Sequence, residues 1–338
     1  MDIVILTDFH RGSYKIIGDL FANSFRGQRS VRHLPTPETS ASSKDLGNKI
    51  AGTIVFHNTL GDRFVPLPEC YNIALPLHEW SEYPKAWINL LNEFDEVWTI
   101  TDHVRNILSR GGLTKPMYKL PPALDTENVP PKRDWSIEDL PKFLFVGEPH
   151  FRKGHHLLMQ GFMKAFLKTN EARLTIKTSP SCQWESPRED IVLIKEEWSR
   201  DRLLSEYAKH DCFVSASLGE GLGLPLGESI MAELPVCTNH WGGHQSLLQQ
   251  EAFIEISHRE IIQPFTSDPE FYAENQKCAY SSPDAIRIGL LKFLTLNSEQ
   301  KQNMTISAKE NFLKTYGSEF ANNNIQNRLA EIQKNLKS

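Results

Sequence analysis

The chain alternates short apolar runs with longer stretches whose apolar residues recur at helical spacing. Residues 3–6, 53–56, 73–77 and 97–100 read as strands, residues 14–25 and 86–91 as helices, and Val104 opens another helix. This alternation predicts a mostly parallel sheet with helices on both faces. The stretch from Pro121-Pro122 through Pro130-Pro131-Lys132-Arg133-Asp134, with its four prolines and several charges, breaks the pattern and reads as an interdomain linker. The pattern then restarts. Residues 143–146, 174–176, 191–194, 212–215 and 235–238 read as strands. A helix is expected over 153–168, with Leu157, Leu158, Phe162, Phe166 and Leu167 on its apolar face, and another over 202–209. Helical signals dominate from Asp284 onward. Each half is therefore expected to be a doubly wound α/β domain, with ligands at the carboxyl ends of its strands.

A length of 338 residues fits two such domains, at roughly 100–200 residues each. The net charge of -5 lacks the basic surplus of a protein that coats nucleic acid. A local cluster, Arg26, Arg29, Arg32 and His33, reads first as solvated charges around a turn and an edge strand, and second as a contact for an anionic substrate. The five cysteines are odd in number, widely spaced and without a C-x-x-C pair, which argues against a disulfide framework or a thiolate zinc site. Cys212 and Cys237 lie in apolar runs and are expected to be buried; this usage suits a reducing, cytoplasmic setting. The acidic start and short apolar run do not make a signal peptide, and no stretch has the ~18–20 apolar residues of a span, so membrane contact would be peripheral.

The densest chemical signal is Leu218-Gly219-Glu220-Gly221-Leu222-Gly223-Leu224-Pro225-Leu226-Gly227-Glu228-Ser229, directly after an expected strand and opening a helix. Glycines let the backbone approach a ligand, and free amides at a helix start attract anions. It is not a dinucleotide fingerprint, because the third glycine would fall at Leu224 or Leu226; nor is it a Walker motif, because no Lys-Ser/Thr follows. It holds instead two glutamates, Glu220 and Glu228, with seven residues between them. Carboxylates suit polyols because each accepts several hydroxyl hydrogen bonds.

This frame resembles the nucleotide-sugar signature of glycosyltransferase family 4. Phe145-Val146-Gly147-Glu148-Pro149-His150-Phe151-Arg152-Lys153-Gly154 resembles the family's strand-loop-"RKG" element, and Ala74-Leu75-Pro76-Leu77-His78 its strand-His element. Phe94 to Arg105 and Leu120 to Asp125 resemble later elements of its first domain. The resemblance implies a GT-B fold, two Rossmann-like domains facing a central cleft. Residues 1–130 would bind the acceptor and 131–315 the nucleotide sugar, and the helix in 316–338 would pack back on the N-terminal domain. It implies catalytic positions at Glu220 (beside the donor sugar), His78 (near sugar and acceptor) and Lys153 (neutralising the leaving diphosphate). Donor contacts are implied at Arg152, Lys153, Glu228 (ribose), and the backbone of Gly221, Leu222, Gly223 and Leu224, with Gly12 bringing the first loop, Phe9-His10-Arg11-Gly12-Ser13, near the diphosphate. One position departs: Glu148 stands where many members carry an arginine as a second diphosphate ligand.

The implied activity is sugar transfer from a nucleotide diphosphate sugar to a hydroxyl of a glycan, lipid-linked or other acceptor, with retention and without cofactor or metal. The sequence offers no rival metal motif. His155-His156 point about 100° apart on a helix, Gly242-Gly243 separates His240 from His244, and no HExxH occurs. Trp80 could stack on a sugar; Trp87 and Trp98 read as core. The alternative reading is an inactive GT-B relative that binds nucleotide sugars as a scaffolding subunit, with Glu148 in its favour. An epimerase or phosphorylase of the same fold is disfavoured by the two-glutamate frame, and a nucleic-acid acceptor rests on the Arg29 cluster alone.

Overall fold

The computed structural model describes residues 2–8, 12–125, 128–137, 139–264, 273 and 275–337. Phe9, His10 and Arg11 of the first loop, and Thr126 and Glu127 of the expected linker, lie outside them. The chain divides into two units: Met1–Thr126 with Thr266–Gln276 and Leu313–Ser338, and Glu127–Phe265 with Lys277–Phe312.

In the first unit the apolar runs form β1 (Asp2–Thr7), β2 (Ser30–Pro35), β3 (Ile54–Asn58), β4 (Tyr71–Ala74), β5 (Glu96–Thr99) and β6 (Met117–Lys119). They lie in the order β2-β1-β3-β4-β5-β6, parallel throughout. Parallel neighbours require crossovers. These include α1 (Gly12–Ser24), α2 (Ser40–Lys49), α3 (Lys85–Leu91) and α4 (Asp102–Gly111). Helices on both faces bury the central strands on both sides. Phe21 of α1 meets Phe56 with ring centroids 4.5 Å apart, and Trp98 lies 5.4 Å beyond Phe56. Val4, Leu6 and Val55 pack instead with Ile50 and Leu67. Trp80, Trp87 and Trp98 are all buried here. The basic cluster lies around edge strand β2, where Arg26 donates to Asn23, Arg29 faces Asp2 and His33 faces Asp19. These are local, largely solvated contacts.

The second unit repeats the plan with β7 (Lys142–Val146), β8 (Arg173–Thr178), β9 (Ile191–Lys195), β10 (Cys212–Ser215), β11 (Val236–Thr238) and β12 (Ile254–Glu255). Their order is β12-β11-β10-β7-β8-β9, again parallel. An antiparallel pair, β13 (Arg259–Ile262) and β14 (Lys277–Tyr280), stands apart. Its helices are α5 (His155–Ala165), α6 (Arg200–Tyr207), α7 (Leu224–Met231), α8 (His244–Leu247) and α9 (Pro283–Thr295). The chain leaves this unit along α10 (Ser298–Tyr316). Phe143 of β7 packs on Phe162 of α5, on Phe166 just after it and on Phe293 of α9. The helix expected over 153–168 is shorter at both ends. Gly154, at φ +66°, separates a 3-10 turn at Phe151–Lys153 from α5. The helix stops at Ala165, so Phe166 is buried, whereas Leu167 is 80% exposed and not on the apolar face.

The last helix, α11 (Ser318–Asn335), belongs to the first unit and is pinned to its sheet. Arg328 reaches the fully buried Glu96 carboxylate, with Nε 3.2 Å from Oε2. The same carboxylate accepts from Trp98 Nε1 at 2.6 Å and from the Tyr71 hydroxyl at 3.1 Å. All five cysteines are free, and Cys212 and Cys237 are buried. Among the described residues, no helix is long and apolar enough to cross a membrane.

Candidate functional site

In the second sheet the strand order reverses between β7 and β10. Crossovers then leave that point in opposite directions, and a crevice opens at the carboxyl ends of these strands. Both loops that carry the sequence signals emerge there. After β7, the His150 ring accepts from the Arg152 amide at 3.1 Å and starts the tight turn at Phe151–Lys153. Gly154 closes it. A Cβ at Gly154 would lie 1.9 Å from the Ala216 carbonyl oxygen, so only glycine lets this turn rest against the loop after β10. One backbone bond stitches the loops together: Leu218 N donates to Arg152 O at 2.8 Å, with Ser217 Oγ close by at 3.3 Å from the same oxygen.

The stitching brings Arg152 and Lys153 onto Glu220. Lys153 Nζ lies 2.7 and 2.9 Å from the two carboxylate oxygens. Arg152 Nη1 lies 3.2 Å from Glu220 Oε2 and donates to Gly219 O at 2.5 Å. Ser217 Oγ donates to Glu220 Oε1 at 2.8 Å. Burial acts to raise the Glu220 carboxyl pKa, but Lys153 and Arg152, helped by His244, hold it well below the usual carboxylate range. It is therefore ionised at neutral pH. Two cations against one carboxylate leave the cluster with a net positive charge, suited to an anionic ligand.

Gly223, at φ +93°, turns the chain into α7, whose first turn carries Pro225. The β11 loop supports this segment from beneath. Asn239 Nδ2 donates to Ser217 O at 2.8 Å, and Gly243 N donates to Glu220 O at 2.7 Å. A Cβ at Gly243 would sit 2.6 Å from the Gly221 carbonyl carbon and 2.7 Å from Leu222 N, so the two backbones are in direct contact. Glu228 lies on α7 and is buried. Its carboxylate receives Arg200 Nη1 at 2.5 Å and the Tyr207 hydroxyl at 2.5 Å. Burial and the Glu228 charge push the Tyr207 phenol well above its ordinary pKa, so it stays protonated and donates.

Of the expected site residues, the structure thus gathers Arg152, Lys153, Glu220, Gly221, Leu222, Gly223 and Leu224 in one place, with Glu228 further along the helix they open. His78 and Gly12 belong to the other unit. The His78 ring is buried in the loop after β4, edge-on to Tyr83 and Trp87, with Nε2 2.5 Å from Glu82 O. Gly12 is exposed at the start of α1, has no positive φ, and a Cβ there would meet nothing within 4 Å. Glu148 is exposed, and its charge acts on Lys177 of β8.

The sequence did not single out Ser217, Asn239 or Gly243, which hold the glutamate loop; Arg200 and Tyr207, which hold Glu228; or His244 as a site residue. His244 is buried beside Glu220, and burial lowers its pKa to about 4 against the opposing pull of Glu220. The Gly242-Gly243-His244 step was the available signal. Among the described residues, no group of three or more His, Cys, Asp or Glu side chains is arranged to hold a metal ion.

This architecture is that of the GT-B fold. Residues 140–267 match the family model described as "Glycosyl transferases group 1". HepE from Anabaena, solved with UDP and glucose, superposes with a TM-score of 0.73 at 10% identity, over 98% of this chain and 100% of that one. A glycosyltransferase from Rickettsia africae gives 0.70 at 12% identity, over 99% and 98%. A TarM variant from S. aureus, solved with fondaparinux, alpha-GlcNAc-glycerol and UDP, gives 0.65 at 12% identity; 85% of this chain covers 58% of that one. The chain therefore spans less than two thirds of TarM. At these identities the likeness is one of fold. No curated protein sequence matches the chain.

Proposed function

We propose that the chain is a glycosyltransferase that moves a sugar from a nucleotide diphosphate sugar to an acceptor hydroxyl, with retention and without a metal. The observation that carries this reading is the convergence of Lys153 and Arg152 on Glu220 at the carboxyl ends of β7 and β10. Departure of a nucleoside diphosphate builds negative charge on the leaving oxygen. Fixed cations at that point stabilise the transition state more than the ground state. Lys153 would exchange Glu220 for the diphosphate, and Glu220 would turn to the sugar. Glu228, held by Arg200 and Tyr207, would offer its remaining lone pairs to the ribose diol. The departing phosphate would take the acceptor's proton on the same face, and His78 would border the acceptor. The match over 140–267 and the GT-B fold support this assignment. The acceptor would be a glycan, a lipid-linked or another hydroxyl compound, reached in the cytoplasm with at most peripheral membrane contact.

The test is a thermal-shift panel of UDP, GDP, ADP and their sugar conjugates, with and without EDTA. UDP comes first because HepE and TarM were solved with it. A ligand at 100 times its Kd stabilises by about 2.7 kcal/mol. One responding nucleotide class, unaffected by EDTA, followed by release of the nucleoside diphosphate with acceptor, is the expected result. Stabilisation without any turnover would favour the second reading, an inactive nucleotide-sugar-binding relative, for which the acidic Glu148 is the observation. No response from any nucleotide would sink both.

A further inference from the structure

His244 is buried where the β11 loop passes under the glutamate loop, in the same cavity as Lys153 and Glu220. Its Nδ1 lies 3.3 Å from Asn239 O and 3.2 Å from Thr238 Oγ1. A carbonyl oxygen only accepts, so its contact with Nδ1 places the ring proton on Nδ1. Nε2 then carries a lone pair. That atom has no hydrogen-bond partner among the described residues, and the ring edge bearing it faces Gly223: a Cβ there would lie 3.0 Å from Cδ2 and 3.1 Å from Nε2. The surrounding cavity, lined by Lys153, Glu220, Gly223, Leu226 and His244 among others, holds about 10 Å³. That is room for one water or one hydroxyl, not for a sugar ring.

Nε2 borders the cavity, so its proton donor is a water or a ligand group that enters there. Lys153 and Arg152 are held by Glu220 and are the groups expected at the diphosphate, so the donor to Nε2 is a water or, with a nucleotide sugar bound, one of its hydroxyls. Resting on the nucleotide-sugar reading above, we propose that His244 Nε2 accepts a hydrogen bond from one hydroxyl of the donor's sugar. It would thereby contribute to the choice of sugar, while contributing nothing to the hold on the nucleoside diphosphate. Gly223 is then glycine for two reasons: its positive φ, and the imidazole beneath it.

The experiment is calorimetric titration of the full chain and its variants with a nucleoside diphosphate and its sugar conjugate, UDP and UDP-glucose first. His244→Ala should bind UDP as the wild type does and bind UDP-glucose about threefold to tenfold more weakly, the worth of one neutral hydrogen bond. His244→Gln, whose side-chain oxygen also accepts, should recover most of that loss. Equal weakening of both ligands would mean that the ring only props the glycine loop and would overturn the proposal. So would no weakening of either, or a Gln variant that behaves like Ala. A wild-type chain that binds neither these nor the other nucleotide pairs removes the functional reading itself, and this inference with it.

Discussion

Gly243→Ala isolates the contact between the β11 loop and the glutamate loop. The position has no positive φ, at -60°, so alanine meets no conformational penalty and the effect is purely one of space. The new Cβ would lie 2.6 Å from the Gly221 carbonyl carbon and oxygen, where ordinary contact begins at 3.4 Å. Because both partners are backbone, neither can rotate away. The loops must part by about 0.8 Å, which also stretches the Gly243 N to Glu220 O bond from its 2.7 Å. Glu220 and the amides of Leu222 and Leu224 then leave their places together.

A misplacement near 1 Å in a positioned site costs about a hundredfold in rate, and overpacking of this size about 1–3 kcal/mol of stability. The assay is kcat/KM for sugar transfer beside a thermal melt. The expected variant is folded, a few degrees less stable, and about a hundredfold slower. Gly12→Ala is the contrast, since its Cβ enters open space. It should keep the melting point or raise it slightly, through helix propensity of up to about 1 kcal/mol. Wild-type activity in Gly243→Ala would refute the claim that this contact sets the site. Loss of activity in a stable Gly12→Ala would support the expected place of the first loop near the diphosphate.

Four further outcomes follow from the same geometry. Lys153→Ala should weaken nucleoside diphosphate binding about tenfold to a hundredfold, the worth of a hydrogen bond to a charged group; unchanged affinity by titration would remove Lys153 from the diphosphate. Glu228→Ala should impair the ribonucleotide but not its 2′,3′-dideoxy analogue, and parallel losses on both would reject the ribose assignment. Arg328→Met leaves the buried Glu96 charge without its cation and should cost about 3–5 kcal/mol in denaturant melts; a loss below ~1 kcal/mol would show that Trp98 and Tyr71 suffice. The fourth concerns pH. Burial lowers the pKa of both His57 and His244 to about 4. The unfolded chain, with imidazoles near 6.5, takes protons first. Stability is therefore full above pH ~6.5 and falls as the pH drops toward 4, by about 2 kcal/mol per histidine at pH 5. Identical melts at pH 7.5 and 5 would contradict both burials.

The fold was legible where apolar runs are short and bounded, as at Cys212–Ser215, because a strand buried on both faces writes itself as an uninterrupted apolar run. It was not legible at α2, whose sequence SASSKDLGNK has no apolar stripe. That helix rests on a capping box between Thr39 and Ser42, and on Gly47 fitting against Pro68, where a Cβ would lie 2.6 Å from the ring. Edge strand β2 has no apolar run in SVRHLP and is suggested only by the cluster of charges around it. The site divides along the same line. Glycines and glutamates at fixed spacing are a local signal that singles out Glu220 and Glu228, whereas the turn at Phe151–Lys153 falls where a helix is expected to begin. The bonding of these residues could not be named in advance. Lys153 and Glu220 are 67 positions apart and meet only because the strand order reverses between β7 and β10. Arg200, Tyr207 and His244 are delivered by other crossovers and carry no motif of their own. The one departure visible in the sequence, Glu148, has a local account. It lies at the exit of β7, whose last residue pairs in register with Lys177, and its charge acts on that lysine. Glu148 shares that lysine with Glu197 and Glu196, whose charges act on it as well.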